Sequence, residues 1–190
     1  MDTLFFDVET NGLPKKNGKQ PNICQFAAII QADNKTIEYS NIIKPNGWTI
    51  PDETAQIHGI TTERAHDEGV PIAEVLAWFW NAMAYCHLLV AHNLDFDKGV
   101  ILAEGARQGV PFQKIPISTY CTMQATKNLC KLPLTDKQKA AGFGGFKNPK
   151  LQEAHLHFFG KEFENAHNAI ADVRACRDIY NAIQTNEETF

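Results

Sequence analysis

The segment Leu4 to Glu9 constrains the fold more than any other, because it sets two acids into an otherwise apolar run. The run is followed by Thr10-Asn11-Gly12, a turn-forming sequence. An apolar run that stops at a turn is typical of a buried strand. Side chains alternate along a strand, so Asp7 and Glu9 are predicted to point to the same side, with attachment points ~6.5 to 7 Å apart.

Two neighbouring carboxylates at a buried strand end repel each other and lose hydration. A bound divalent cation is the simplest compensation for this cost. The alternative is a strand that frays before Asp7, so that both acids face water. The pattern of the strand by itself leaves both interpretations open.

Apolar periodicity along the rest of the chain predicts a mixed sheet flanked by helices. The runs Ile23 to Ala32 and Thr36 to Ile43 predict a hairpin that turns between them. Further strands are predicted over His87 to Ala91 and Ile115 to Tyr120, and helices over Pro71 to Tyr85, Asp95 to Gln108, Lys150 to Phe159 and Ala166 to Ile183. Strands that first pair and then alternate with helices indicate an α/β domain, whose ligands bind at the carboxyl ends of the strands.

The length and composition favour one domain, predicted over residues 1–185, followed by a short polar tail at 186–190. With 190 residues and 44% hydrophobic content, the chain can bury a single sizeable core. It has neither a long apolar run nor a basic leader, so we expect a cytoplasmic protein with no membrane contact. The five cysteines are scattered and form no Cys-x-x-Cys pair, which predicts free thiols.

Positive charge is concentrated in two segments although the formal net charge is −4. Nine of the eighteen Lys and Arg residues lie in Lys15 to Lys19 and Lys127 to Lys150, and Asp136 is the one acid within these segments. Two basic segments on an acidic protein indicate a local track for a polyanion. A solvated lysine-rich loop is the alternative for each segment.

Four residues further along the chain extend the set of candidate site residues. Asp172 lies at the edge of the apolar stripe of the last predicted helix, where a ligand or a partner of a buried arginine is expected. Asp95 and Asp97 both fall in the first turn of a helix, where acids are common without any function. His167 precedes Asp172 by five residues, and a neutral imidazole at this place suits deprotonation of water.

Taken together, these motifs resemble one family. Phe6-Asp7-Val8-Glu9-Thr10, then His92-Asn93 leading to Phe96-Asp97, and finally His167 before Asp172 are similar to the histidine-bearing subclass of the DEDD exonuclease superfamily. This subclass includes the proofreading exonuclease subunit of bacterial replicative DNA polymerase and ribonuclease T. Ser118-Thr119 departs from the pattern, because many members carry an acid before this threonine.

The resemblance implies a ribonuclease H-like fold and a metal-dependent 3′-to-5′ exonuclease that releases nucleoside 5′-monophosphates. It selects Asp97 over Asp95 and assigns two Mg²⁺ or Mn²⁺ ions to four acids, with His167 as general base. The implied metal ligands are Asp7, Glu9, Asp97 and Asp172. The implied substrate contacts are Thr10, Asn11, Gly12, His58, Ile60, Asn93 and Phe96.

The expected partners are the 3′ ends of single-stranded nucleic acid, with DNA favoured slightly over RNA. A DNA polymerase and a homodimer mate are both open as protein partners. The Lys127 to Lys150 segment lies outside the family signature, and we expect either a substrate clamp, with Phe143 or Phe146 stacking on a base, or a mobile loop. The alternative function is a non-catalytic, exonuclease-like module that binds nucleic acid or serves a polymerase as an adaptor.

Overall fold

The apolar run at the start of the chain forms β1 (Thr3–Thr10) at the centre of a five-stranded sheet. The computed structural model describes residues 2–33, 35–110 and 117–187. The other strands are β2 (Ile23–Ala32), β3 (Lys35–Ile42), β4 (Leu88–Ala91) and β5 (Ser118–Cys121). Their order is β3-β2-β1-β4-β5, with antiparallel pairing from β3 to β1 and parallel pairing from β1 to β5. The predicted mixed sheet and its hairpin are confirmed, although Ile115 and Pro116 of the last predicted strand lie outside the described residues.

Helices flank this sheet. They are α1 (Asp52–His58), α2 (Thr62–Glu68), α3 (Ile72–Tyr85), α4 (Leu94–Arg107), α5 (Thr122–Cys130), α6 (Asp136–Ala140), α7 (Leu151–Phe159) and α8 (Ala169–Glu187). The four predicted helices are confirmed as α3, α4, α7 and α8. No helix within the described ranges combines the length and the apolar character that a membrane span requires.

Four short helices were not predicted, namely α1, α2, α5 and α6, which have five to nine residues each. So short a helix carries little apolar periodicity, and side-chain caps mark the starts of α2 and α6. Thr61 accepts a hydrogen bond from the Arg64 backbone at the start of α2, and Thr135 forms a capping box with Gln138 at α6. The predicted start of the last helix at Ala166 was wrong, because the left-handed backbone of His167 (φ 66°) delays the helix to Ala169.

Alternating residues of β1 pack against two different helical layers. Leu4, Phe6 and Val8 belong to the larger core, with residues of α3 and α4. Phe5 lies on the opposite face, in a second core with Val173 of α8. This double burial fixes the register of β1, so Asp7 and Glu9 share the face of Phe5 and α8.

The larger core contains an aromatic cluster that connects α3 to the sheet. The ring of Phe79 lies 5.2 Å from that of Phe6 and 5.6 Å from that of Phe26, measured between centroids. Large rings in this arrangement bury much apolar area and add favourable edge contacts. The cluster therefore holds α3 against β1 and β2.

The parallel strands β1, β4 and β5 end at the same edge of the sheet, as predicted for a ligand-binding edge. Helix α4 begins directly after β4, and α8 begins beside β2, where Gln25 Oε1 accepts a hydrogen bond from the Ala169 backbone at 3.1 Å. All five cysteines are free thiols, as expected.

We predict that Phe79→Ala lowers the free energy of unfolding by about 3 to 5 kcal/mol, because it leaves a cavity in the core. Phe79 is 1% exposed. Tyr85→Ala is the matched control on the same helix, since Tyr85 is 77% exposed, and it should change stability by less than about 0.5 kcal/mol. Urea denaturation measures both values, and equal effects would contradict the assigned core.

Candidate active site

Asp7 and Glu9 lie near the carboxyl end of β1, where the pairing with β2 becomes irregular. Glu9 pairs with Gln25, but Thr10 pairs with Ile23, so one residue of β2 is left over between them. A bulge of this kind bends the strand and redirects the side chains beside it. Both acids are only partly exposed, and the strand does not fray before Asp7.

Asp97 reaches the same edge from the first turn of α4. It is 3% exposed, and its Oδ1 accepts a hydrogen bond from the Val8 backbone N–H at 3.3 Å. Asp95, two residues earlier, is exposed to solvent. The structure therefore brings Asp97 to β1 and leaves Asp95 on the surface.

Asp172 and His167 enter the site together, from the start of α8. The His167 backbone N–H donates a hydrogen bond to Asp172 Oδ2 at 3.3 Å, and the left-handed backbone of His167 makes this turn. Residues other than glycine adopt this conformation rarely, and such residues cluster at functional sites. The second oxygen, Oδ1 of Asp172, is buried and has no hydrogen-bond partner among the described residues.

Three of these side chains could share one cation. One carboxylate oxygen each from Glu9 and Asp172 and one ring nitrogen of His167 all lie within 4.8 Å of one another. The imidazole of His167 is exposed, whereas the two acids are half-buried. The histidine therefore stands on the solvent side of the acids.

The raised pKa values of the buried acids indicate excess negative charge at this edge of the sheet. Burial, followed by the nearby Asp97, Asp172 and Glu9, raises the pKa of Asp7 well above its ordinary value. Burial also raises the pKa of Asp97 well above its ordinary value, and Glu9 and Asp172 raise it further.

The pKa values of Glu9 and Asp172, which lie closer to the surface, are raised as well. Burial and the Asp172 charge raise the pKa of Glu9 to about 7. Burial raises the pKa of Asp172 to about 7, although the His167 N–H opposes this shift. Four acids in this state favour a positive charge between them, and the unpartnered Asp172 Oδ1 is a free ligand for it. Carboxylate oxygens suit a hard divalent cation, so the residues fit the metal that the sequence predicts.

The turn after β1 is held by its own side chains. Thr10 Oγ1 donates a hydrogen bond to the Gly12 carbonyl at 2.7 Å. The Asn11 amide donates to the Thr49 carbonyl at 3.1 Å, and its Oδ1 accepts from the Asn22 backbone at 2.9 Å. The Asn11 side chain thus joins three segments, and its predicted contact with substrate stays a prediction, as do those of Thr10 and Gly12.

The other predicted substrate contacts lie around the same edge. His58 is buried at the end of α1, where its Nδ1 accepts a hydrogen bond from the Ile60 backbone at 3.2 Å and burial lowers its pKa. His58 and His167 line one cavity of about 470 Å³. Asn93 is exposed at the start of α4 with a left-handed backbone (φ 73°), and Phe96 packs against the larger core.

Two side chains for which no role was predicted, Gln25 and His92, support the site. Gln25 anchors the start of α8, and a buried amide in the middle of an apolar strand was the signal for it. His92 lies between Thr122 Oγ1 at 2.9 Å and the Pro149 carbonyl at 3.1 Å. Burial lowers the pKa of His92 to about 4, so the neutral ring donates from Nε2 to the carbonyl and accepts at Nδ1.

Comparison with known proteins identifies the family. Residues 4–180 match the family model described as exonuclease. The chain belongs to the exonuclease family. This membership confirms the resemblance to the DEDD superfamily of 3′-to-5′ exonucleases.

Individual relatives within the exonuclease family differ greatly in length. Exonuclease CP81 of Escherichia phage 186 is 28% identical over 187 residues, which cover 96% of this chain and 88% of the phage protein. A PolC-type DNA polymerase III of Streptococcus agalactiae is 29% identical over 191 residues, which cover 96% of this chain but 12% of the polymerase. This chain therefore spans only a small part of the polymerase.

A solved structure has the same fold. E. coli exonuclease I in complex with a dT13 oligonucleotide superimposes with a TM-score of 0.78 at 22% identity, covering 99% of this chain and 42% of exonuclease I. The likeness confirms the predicted ribonuclease H-like fold of this exonuclease-family chain.

We predict that the metal-free protein loses stability as the pH rises. The pKa values of Glu9 and Asp172 are about 7 in the folded state, against ordinary values of about 4. A raised folded pKa gives stability that is complete below the unfolded pKa and is lost as the pH rises through the folded pKa. Urea denaturation in EDTA should therefore show a decline in the free energy of unfolding between pH 5 and 8.

The matched variants for this experiment are Asp172→Asn and Asp178→Asn, on the same helix. Asp178 pairs with Arg177, away from the acids of the site. From pH 5 to pH 8, the free energy of unfolding of the wild type should fall relative to that of Asp172→Asn. The expected relative fall is more than about 1.4 kcal/mol, the equivalent of one pKa unit. Asp178→Asn should follow the wild-type curve. Identical pH curves for Asp172→Asn and the wild type would rule out the raised pKa of Asp172.

Proposed function

We propose that this chain hydrolyses phosphodiester bonds from the 3′ end of single-stranded nucleic acid, with DNA slightly preferred over RNA, and releases nucleoside 5′-monophosphates. The observation that carries the proposal is the convergence of four acids from β1, α4 and α8 at one edge of the sheet, with His167 beside two of them. Membership of the exonuclease family and the exonuclease I fold support it.

The acids would hold two divalent cations, Mg²⁺ or Mn²⁺. Asp7, Glu9, Asp97 and Asp172 would be the residues that hold them, since these four carboxylates meet at one edge of the sheet. A pair of such ions stabilises the charge on the attacking and leaving oxygens of an in-line phosphoryl displacement. The unpartnered Oδ1 of Asp172 supports this assignment, because a ligand oxygen needs no protein donor.

His167 would act as the general base. Its exposed imidazole can accept a proton from the attacking water, whose oxygen forms the new bond to phosphorus while the bond to the 3′ oxygen breaks. The released 3′ oxygen takes up a proton, which completes the hydrolysis. The hydrogen bond from the His167 backbone to Asp172 supports this role, because it fixes the start of the side chain relative to a metal ligand.

The remaining candidates would bind the terminal nucleotide. The turn at Thr10, Asn11 and Gly12 follows the acids on β1, and His58 lines the cavity beside His167. Ile60 is buried behind His58 and donates its backbone N–H to the His58 ring. Asn93 and Phe96 precede Asp97 on the same helix.

The relatives support a choice between DNA and RNA as the substrate and suggest a protein partner. The dT13 oligonucleotide of the exonuclease I complex and the polymerase relatives support DNA as the substrate. The polymerase relatives also support a DNA polymerase as partner. A cytoplasmic location and a homodimer mate as second partner belong to the same proposal.

The first test is degradation of 5′-labelled single-stranded DNA and RNA of matched sequence, with Mg²⁺ or with EDTA. We expect a ladder that shortens from the 3′ end only with metal, and faster for DNA, because the acids need a cation to act. Gel electrophoresis resolves the ladder, and chromatography identifies nucleoside 5′-monophosphates. A folded, metal-loaded protein that binds DNA but leaves it intact would instead support the non-catalytic adaptor.

A second test separates the base from the ligands. His167→Ala should lower turnover of DNA by about 100-fold or more, the usual contribution of a general base, while calorimetry still detects Mn²⁺ binding. Asp172→Asn should lose both activity and most of the Mn²⁺ affinity. His66→Ala is the control for the histidine, since His66 is also exposed but lies on α2. Wild-type turnover in His167→Ala would remove this histidine from the mechanism.

A further inference from the structure

A closed surface loop projects from the chain between α5 and α7. The Lys147 backbone N–H donates to the Leu132 carbonyl at 3.1 Å, so the two ends of the loop meet. We call Leu132 to Lys147 the lysine loop. Its ends are close and its length suits an Ω-loop, a class that is frequently functional. The helix α6 with its capping box gives the loop internal order.

The base of the lysine loop is attached to the edge of the sheet that carries the acids. The Pro149 carbonyl accepts the hydrogen bond from His92 Nε2 at 3.1 Å. His92 directly follows β4 and precedes Asn93, which begins the helix of Asp97. Lys147 is two residues from Pro149, so its backbone lies within about 7 Å of this attachment.

The loop and its flanks carry most of the excess positive charge. Lys127 to Lys150 holds six lysines and one acid, whereas the rest of the chain has twelve basic and twenty-one acidic residues. Lys139 pairs with Asp136, and Lys147 pairs with Glu153.

Two exposed lysines, one directly before the loop and one on α6, are free to contact phosphates. Lys131 and Lys137 are exposed, and within the described residues neither forms an ion pair. A local cluster of this kind attracts phosphates even on a protein of negative net charge.

The lysine loop also presents an aromatic ring to solvent. Phe143 is 65% exposed, and its backbone is held by a hydrogen bond from its N–H to the Gln138 carbonyl at 3.1 Å. Phe146, the other aromatic candidate, is partly covered. An exposed ring among lysines is the combination that binds single strands, since bases stack on the ring while ammonium groups contact phosphates.

We propose that the lysine loop, together with Lys131 directly before it, binds the single strand on the 5′ side of the terminal nucleotide, with Lys131 and Lys137 on phosphates and Phe143 stacked on a base. The inference rests on the proposed function, which places the 3′ end at the acids. The loop would then add affinity for long substrates without touching the reacting atoms. It gives the chain a nucleic-acid contact beyond the residues of the catalytic edge.

The experiment compares a long and a minimal substrate. The long one is a 5′-labelled single-stranded DNA of about 16 nucleotides, the upper end of common single-strand site sizes. The minimal one is the p-nitrophenyl ester of thymidine 5′-monophosphate, which has no strand to reach the loop. The variants are Phe143→Ala and the double variant Lys131→Gln with Lys137→Gln.

On the long DNA, kcat/KM should fall about fivefold or more in Phe143→Ala, the loss expected for one stacked base. The double lysine variant should flatten the slope of log affinity against log salt by about 0.7 for each phosphate that the lysines no longer neutralise. Hydrolysis of the ester should stay at the wild-type rate in both variants. Anisotropy of the labelled DNA with each variant, in an Asp172→Asn background, measures binding without turnover.

The controls are Lys35→Gln and Tyr85→Ala, which change an exposed lysine and an exposed aromatic ring near the opposite edge of the sheet. Wild-type affinity and salt slope in the loop variants would overturn the proposal, even if the enzyme is active. Equal losses in the loop variants and the controls would also overturn it. Loss of DNA affinity in the loop variants of a protein that hydrolyses neither substrate would support the loop and overturn the exonuclease function.

Discussion

Repulsion among four carboxylates is the constraint on which the rest of the structure depends. Neighbouring acids of this group raise the pKa values of Asp7, Glu9 and Asp97, in a setting where burial already disfavours charge. Hydrophobic contacts elsewhere must offset this cost, since ionised acids in a buried setting are destabilising. The double burial of β1, with α3 on one face and α8 on the other, supplies that support next to the acids.

The acids are held by backbone contacts as well as by packing. Asp97 accepts a hydrogen bond from the Val8 backbone N–H, and Asp172 accepts one from the His167 backbone N–H. Gln25 holds the start of α8 from the neighbouring strand. The helices that carry Asp97 and Asp172 are thus fixed close to these acids. This fixation limits how far the carboxylates can move apart in the absence of a cation.

The sequence predicted those parts of the fold in which apolar residues recur regularly over a long stretch. The central strand, the hairpin and four helices were identified correctly, because each carries a stripe of apolar residues. The short helices α1, α2, α5 and α6 were missed, since five to nine residues are too few for a clear apolar period. The caps Thr61 and Thr135 mark the starts of α2 and α6. For the site, residue types and spacing indicated Asp7, Glu9, Asp172 and His167 but left Asp95 and Asp97 open, and the family resemblance selected Asp97. The structure brings these five residues to one edge. Contacts between distant segments, such as those of Gln25 and His92, could not be predicted, because no local pattern encodes a partner more than 50 residues away.

The order of the acids along the chain has a consequence for biosynthesis. Asp7 and Glu9 leave the ribosome first, whereas His167 and Asp172 emerge only with α8, near the end of the described residues. A nascent chain that already contains β1 to β5 still lacks one carboxylate and the histidine of the cluster. Any activity that needs the whole cluster is therefore withheld from the growing polypeptide until α8 has been made and has docked on the sheet.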